Sequence, residues 1–446
     1  MIWLQFLVLL AMILIGSRLK GIGLGLMGVL GMLIYIVVFR MRPTGPPGDV
    51  MLIILSIVTT AAALQAAGGL DYLVTVAERI IKSNPKRITF IAPMTVYFLC
   101  LFAGTAHIVY SLLPIIAEVS AKSRVRPERP LSISVIASHM ALTGSPMSAA
   151  TAALASILAF PGASLVIMKV CIPACVLGVL AGAIAVWKTG KDLDKDPEFL
   201  EKMKDPAFAA TLDHEETGEK REIRPGAKVS VGIFGLAILV IILAGAFPSY
   251  IPNMGNGAGN FNVYADGTLK MVTVIQVVTL SAAALIMLIT KTSPAQITKA
   301  SLFTSMASAL VSVLGVVWMS STFMAHNETV IKDVLGDVTR QYPWVFAIAV
   351  FVMGMLMFSQ SATTKAMMPL GLSLGLGHPT LLAVFPAVNS DFVLPGYPTL
   401  VAAINFDRTG STKIGKYVIN HSFMIPGTVA IAVAIAVGFL LAGIFV

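Results

Sequence analysis

Only 12% of the 446 residues are charged and 57% are hydrophobic. A soluble domain carries about 25% charge, so this composition excludes a soluble globular protein and indicates a polytopic membrane protein. The net charge of +9 fits the Lys/Arg bias of membrane-protein loops better than nucleic-acid binding.

The opening stretch, MIWLQFLVLLAMILIG, lacks a basic leader and an A-x-A site. It is expected to form a first helix, not a signal peptide. Apolar runs follow at 21–39, 50–67, 88–103, 106–120, 131–143, 147–160 and 164–187. A polar stretch from Lys188 to Lys228 is dense in both signs of charge and reads as a solvated linker with short helices. Apolar runs resume at 229–248, 271–290, 301–325, 343–358, 366–376, 379–394, 399–405 and 416–446. Helices follow, because lipid forbids open backbone. Nothing alternates with period two, which argues against a barrel. Cys100, Cys171 and Cys175 all sit in apolar runs and are expected to pack as small apolar residues.

One stretch organises the second half. An apolar run ends at Phe358, the polar residues Ser359, Gln360, Ser361, Thr363 and Thr364 follow, then Lys365, then a second apolar run. Both runs are shorter than the roughly 20 residues of a full span. Two short arms joined by a polar tip read as a re-entrant hairpin whose tip touches a solute or a watery cavity. A polar kink between tightly packed helices is the plainer alternative.

The halves match in feature order. Gly104-Thr105-Ala106 precedes Pro114 as Ser359-Gln360-Ser361 precedes Pro369. Gly144-Ser145-Pro146 matches Gly396-Tyr397-Pro398, and Asn84-Pro85 matches Tyr342-Pro343, at offsets of about 250 to 258. The expected organisation is a first repeat over 1–187, with a hairpin near 88–120 and a broken helix near 131–160. A charged linker covers 188–228. The second repeat covers 229–446, with a hairpin near 343–376 and a broken helix near 379–405. If both termini lie outside, 24 of the 31 Lys and Arg fall on the inner side with the linker. Arg40, Arg42, Lys169, Lys270, Lys332 and Arg340 fall outside and Lys365 within. This topology inverts the two repeats, as in secondary transporters with a site at the midplane.

Four helix starts are expected to converge there: Thr105, Gln360 with Ser361, Ser145-Pro146 as N-cap plus first-turn proline, and Tyr397-Pro398. Helix starts offer unpaired N–H groups and partial positive charge, suited to an anion. Ser148, Thr363, Thr364 and Thr399 lie beside these starts and join the candidate binding set. Ordinary Ser/Thr packing between helices is the alternative for any one of them. Lys365 lies four residues after Ser361, on one helix face. Its counter-charge is a substrate carboxylate or Asp391, unless it snorkels outward. His139 and Asp391 each stand seven residues before a break proline. They are candidates for H⁺ or Na⁺ coupling; for His139 the alternative is a packing histidine. His107 either donates to a carboxylate or bonds a nearby carbonyl. No enzyme motif is visible.

Several stretches resemble the anaerobic C4-dicarboxylate transporter family of the DcuA/DcuB type. They are FAGTAHIVYSLLPIIAEV (102–119), RPERPLS (126–132), SPMSAA (145–150), KDLDKDPEF (191–199), FSQSATTKA (358–366) and LPGYPTLVAAINFDRTGSTKIGKYVINHSFMIPG (394–427), with AGGLDYLV (67–74). The resemblance implies an inner-membrane exchanger of fumarate, succinate, malate and aspartate in fumarate respiration. It also implies an elevator-type architecture with scaffold and moving domains, and a homodimer. A membrane-embedded dicarboxylate receptor and an anion channel are the rival functions. No cofactor, metal or nucleic-acid partner is expected.

Overall fold

The computed structural model describes the chain except residues 20–21, 47, 159, 161, 207, 209–222, 248–250, 256–262, 264–266, 304–309, 312–313, 316–317, 358, 395–396, 416–419 and 446. Among the described residues the chain is helical, and the isolated bridges Val263–Leu269 and Ile414–His421 are its only β pairing. Among the described residues, five helices are long and apolar enough to cross a bilayer: Pro85–Ala103, Ala163–Val186, Ala227–Ala244, Val272–Thr290 and Met424–Phe445. One bent pair of helices is the other candidate for a crossing among the described residues. Leu55–Ala66 and Gly69–Ser83 meet at 73°, with Gly68 at φ 84° in the corner. Arg224 donates to the Ala66 carbonyl at 2.6 Å and satisfies the helix end that the bend exposes. The protein is a multi-pass membrane protein.

Two helical hairpins are present, and the first includes the apolar helix Pro85–Ala103. The first joins Ile88–Ala103 to Val109–Lys122 through Gly104, Thr105 and a 3-10 turn, Ala106–Ile108. The second joins Pro343–Met357 to Gln360–Ser373 through Ser359 and Phe358, the latter outside the described residues. Ser359 is extended and its hydroxyl accepts from the Ala362 N–H at 3.3 Å, which caps the second arm. The helix therefore begins at Gln360. Gln360, Ser361, Thr363, Thr364 and Lys365 lie on its first two turns, not in a non-helical tip.

Two interrupted helices accompany the hairpins. Glu128–Met140 is followed by Ala149–Leu158. His378–Val384 runs into a 3-10 segment, Phe385–Phe392, and is followed by Pro398–Phe406. Packing follows one pattern in both halves. Ile88–Ala103 lies on Glu128–Met140, and Pro343–Met357 lies on Phe385–Phe392. The second arm of each hairpin packs on the broken helix of the other half: Gln360–Ser373 on Ala149–Leu158, and Val109–Lys122 on Pro398–Phe406. The most extensive contact joins Ala163–Val186 to Met424–Phe445. Gly178 and Gly182 make it possible, because a Cβ at either would collide with the Ala430 or Pro426 carbonyl. Small residues four apart let membrane helices approach this closely.

Two local expectations are corrected. Ser145-Pro146 does not open a helix, which begins at Ala149. The Ser145 hydroxyl donates to the Leu101 carbonyl of the first hairpin at 2.6 Å, and Ser148 supplies the acceptor for Ala150 N–H at 3.2 Å. The 188–228 segment is also not uniformly solvated. Leu193 and Phe199 are buried and anchor its first part. Arg126 pairs with Asp196 and Arg129 with Asp192, each at 2.7 Å, and Lys202 donates to the Thr409 carbonyl at 3.1 Å. Its residues 209–222 lie outside the described residues.

Candidate functional site

Five residues from four segments meet at one buried pair. His139, from the last turn of Glu128–Met140, places Nδ1 2.9 Å from Asp391 Oδ1. Its Nε2 stands 2.9 Å from Thr399 Oγ1, in the first turn of Pro398–Phe406. Gln360 Nε2 donates to the other Asp391 oxygen at 2.8 Å. The Tyr397 ring meets the His139 ring edge-on at 4.7 Å between centroids. His139, Asp391 and Thr399 are fully buried and Gln360 nearly so. With Asp391 ionised and His139 neutral, Nδ1–H donates to the carboxylate and Nε2 accepts the Thr399 hydroxyl proton. Each buried polar group is then satisfied, as burial requires. The last turn of the first broken helix, the broken helix of the second half and the second hairpin are thus stitched together.

A parallel stitch lies next to it. Asn389 Nδ2 donates to Thr143 Oγ1 at 2.7 Å and to the Pro386 carbonyl at 3.0 Å. A carbonyl only accepts, so this contact fixes the amide orientation. Among the described residues Asn389 Oδ1 is left buried with no partner.

Lys365 lies one turn beyond Ser361 on the second hairpin. It is 2% exposed, and among the described residues its Nζ has no hydrogen-bond partner. It neither snorkels outward nor pairs with Asp391, whose two oxygens are taken by His139 and Gln360. Ser361 Oγ is likewise buried without a partner. Thr363 and Thr364 differ: their hydroxyls donate to the Ser359 and Gln360 carbonyls at 2.8 and 2.7 Å. Such back-bonding spends the hydroxyl proton inside the helix.

The first hairpin tip abuts the first break. Gly104 has φ 70°, and a Cβ there would collide with the Met147 backbone. Thr105 caps the following turn, accepting from the His107 N–H at 3.3 Å. The His107 ring is exposed, stacked on Tyr110 at 6.1 Å, and bonds no carbonyl among the described residues. Pro146 sits in the non-helical link, and Ser148 is buried at the start of Ala149–Leu158. Pro398 opens its helix after Tyr397, which gives no side-chain cap; Gly396 lies outside the described residues.

Residues 1–446 match, as a family, the anaerobic C4-dicarboxylate membrane transporter. The chain belongs to that family. It is similar to the C4-dicarboxylate transporter DcuA of Wolinella succinogenes, 40% identical over 445 residues and covering 99% of each chain. It is 38% identical over 444 residues to DcuA of Escherichia coli strain K12, again with 99% of each chain covered. Identity to the anaerobic C4-dicarboxylate transporter DcuB of Escherichia coli O6:H1 is 37% over 455 residues, covering 99% of this chain and 98% of the relative. Among solved structures, the Alcanivorax borkumensis YdaH transporter aligns with a TM-score of 0.49 and 16% identity, covering 93% of this chain and 88% of that one. The family is one of transporters, and its members are not enzymes.

Sequence reasoning missed Asn389 and Thr143. Thr143 carries a weak signal in retrospect, since it stands directly before the Gly144-Ser145-Pro146 break. Asn389 stands two residues before Asp391 in a stretch that reads as plain helix.

Proposed function

We propose that the chain exchanges C4-dicarboxylates across the bacterial inner membrane, taking fumarate, succinate, malate and aspartate as in anaerobic fumarate respiration. One observation carries the reading. Among the described residues Lys365 Nζ is buried and unpartnered, as is Ser361 Oγ one helical turn before it. An unpaired buried ammonium costs several kcal/mol, and a substrate carboxylate would supply both the counter-charge and an acceptor. The second carboxylate would lie toward the Thr105, Ser148 and Thr399 helix starts, where N–H groups and partial positive charge favour anions. Gly104 and Pro146 shape the wall by backbone approach. His107, Tyr397 and Pro398 border the same breaks.

His139 and Asp391 form the coupling pair in this reading. Lys365 and Asp391 are opposite in sign without touching, so an entering dianion leaves the site with two net negative charges. A proton on His139 would offset one of them. The matched packing of hairpins and broken helices supports two inverted repeats, 1–187 and 229–446, joined by the 188–228 segment. In an elevator mechanism the hairpins and broken helices move against a scaffold, and the assembly is a homodimer. The distribution of Lys and Arg supports an inward-facing 188–228 segment and outward-facing termini.

Counterflow in liposomes tests the reading. Labelled external succinate should accumulate against internal fumarate in a saturable one-for-one exchange. Binding without counterflow would make the protein a receptor, and succinate conductance would make it a channel. The pH and Na⁺ dependence of the same exchange identifies the coupled ion.

A further inference from the structure

The end of the bundle that carries the 189–202 segment holds a cavity of about 870 Å³. Lys86, Arg87, Arg124 and Arg129 line it. Arg129 is fully engaged, with Asp192 at 2.7 Å and the Thr189 and Gly190 carbonyls at 2.8 and 3.0 Å. Lys86, Arg87 and Arg124 form no ion pair among the described residues. Arg124 instead lies over the Phe199 ring, 5.6 Å from its centroid. Asp192 is consumed by Arg129, so Asp194 is the one lining carboxylate left to oppose three cations.

Phe90 and Ile91 line this cavity and also a second one of about 530 Å³. The second is apolar. It follows the apolar helix Pro85–Ala103 and is flanked by Val76, Ile80, Met94 and Phe98. Val76, Ile80 and Phe98 are exposed. Trp187, just past the helix Ala163–Val186, stands edge-on to Phe90 at 6.0 Å and is half exposed. Tryptophan favours the membrane–water boundary. A cationic cavity at that boundary therefore adjoins, across Phe90 and Ile91, an apolar groove at acyl-chain depth.

We propose that this composite site binds an anionic phospholipid. The phosphate headgroup sits among Lys86, Arg87 and Arg124, and an acyl chain follows Phe98 and Val76. Clustered basic side chains at a membrane boundary attract anionic headgroups, and the adjoining groove supplies what a free phosphate could not use. The bound lipid touches both the bent helix Gly69–Ser83 and the first hairpin.

Native mass spectrometry of the full-length protein tests this, with phosphatidylglycerol, phosphatidylcholine of the same chains, and glycerol 3-phosphate as probes. Phosphatidylglycerol should stay bound at collision energies that strip phosphatidylcholine, and glycerol 3-phosphate should leave no adduct. The triple variant Lys86→Gln, Arg87→Gln, Arg124→Gln should lose at least ten-fold of the phosphatidylglycerol adduct, while Arg87→Lys with Arg124→Lys keeps it. Should the triple variant fail to fold, Val76→Trp with all charges intact should lower acyl-lipid retention by blocking the groove. Equal retention of both lipids, an unchanged adduct in a folded triple variant, or an unchanged adduct in Val76→Trp would overturn the proposal. Glycerol 3-phosphate held as firmly as the lipid would overturn it in favour of a free-phosphate site.

Discussion

His139 Nδ1 and Asp391 Oδ1 lie 2.9 Å apart, 252 residues apart in the chain and both fully buried. The pair spans the two broken helices, so each half of the chain holds one side of the same contact. Removing either partner strands the other in the interior.

The first prediction follows from that contact. Asp391→Ala or His139→Ala should each destabilise the protein by about 1.5–3 kcal/mol, the range for a hydrogen bond to a charged group. The double variant should cost clearly less than the sum, with a coupling of about 0.5–3 kcal/mol. Unfolding in detergent measures all three. Strict additivity would mean that the two side chains do not stabilise each other.

The second concerns the first hairpin. Gly104 adopts a left-handed conformation against the Met147 backbone. Gly104→Ala adds about 1–2 kcal/mol of left-handed strain and forces the tip away from the first break. Exchange should fall sharply while the protein remains folded. Wild-type exchange in this variant would remove the tip from the mechanism.

The candidate pair was partly legible in the sequence. The equal seven-residue spacing of His139 and Asp391 from Pro146 and Pro398 marked them as mates, but nothing local joined them to Gln360 or Thr399. Those bonds depend on how helices distant in sequence pack. The misread at Ser145-Pro146 has the same origin: a good local start signal yields to one tertiary bond, from the Ser145 hydroxyl to the Leu101 carbonyl. The docked part of the 188–228 segment had a visible signal in Leu193 and Phe199, the apolar residues of KDLDKDPEF. The charge around them masked it. The all-helical character was legible because lipid converts apolar run length directly into helix.

The third prediction separates that docked segment from the site. Arg126 bonds Glu128 and Asp196, each at 2.7 Å, with its side chain 13% exposed. Arg126→Ala should cost about 2 kcal/mol of stability, as for hydrogen bonds to charged groups. Succinate affinity should not change in that variant, nor on shortening residues 209–222. A large loss of affinity in correctly inserted protein of either kind would place the segment in the binding machinery.

The most direct measurement is equilibrium binding of labelled succinate to purified protein carrying changes at Lys365. Lys365→Met should weaken binding by about 2–5 kcal/mol, the range for truncating one partner of a buried charge pair. Lys365→Arg should also be impaired, because a planar fork does not reproduce a compact ammonium. Adding Asp391→Asn to Lys365→Met should not restore binding, since Asp391 is held by His139 and Gln360. Restored affinity in the double variant, or unaltered affinity in a folded Lys365→Met, would contradict a direct contact between Lys365 and the substrate carboxylate.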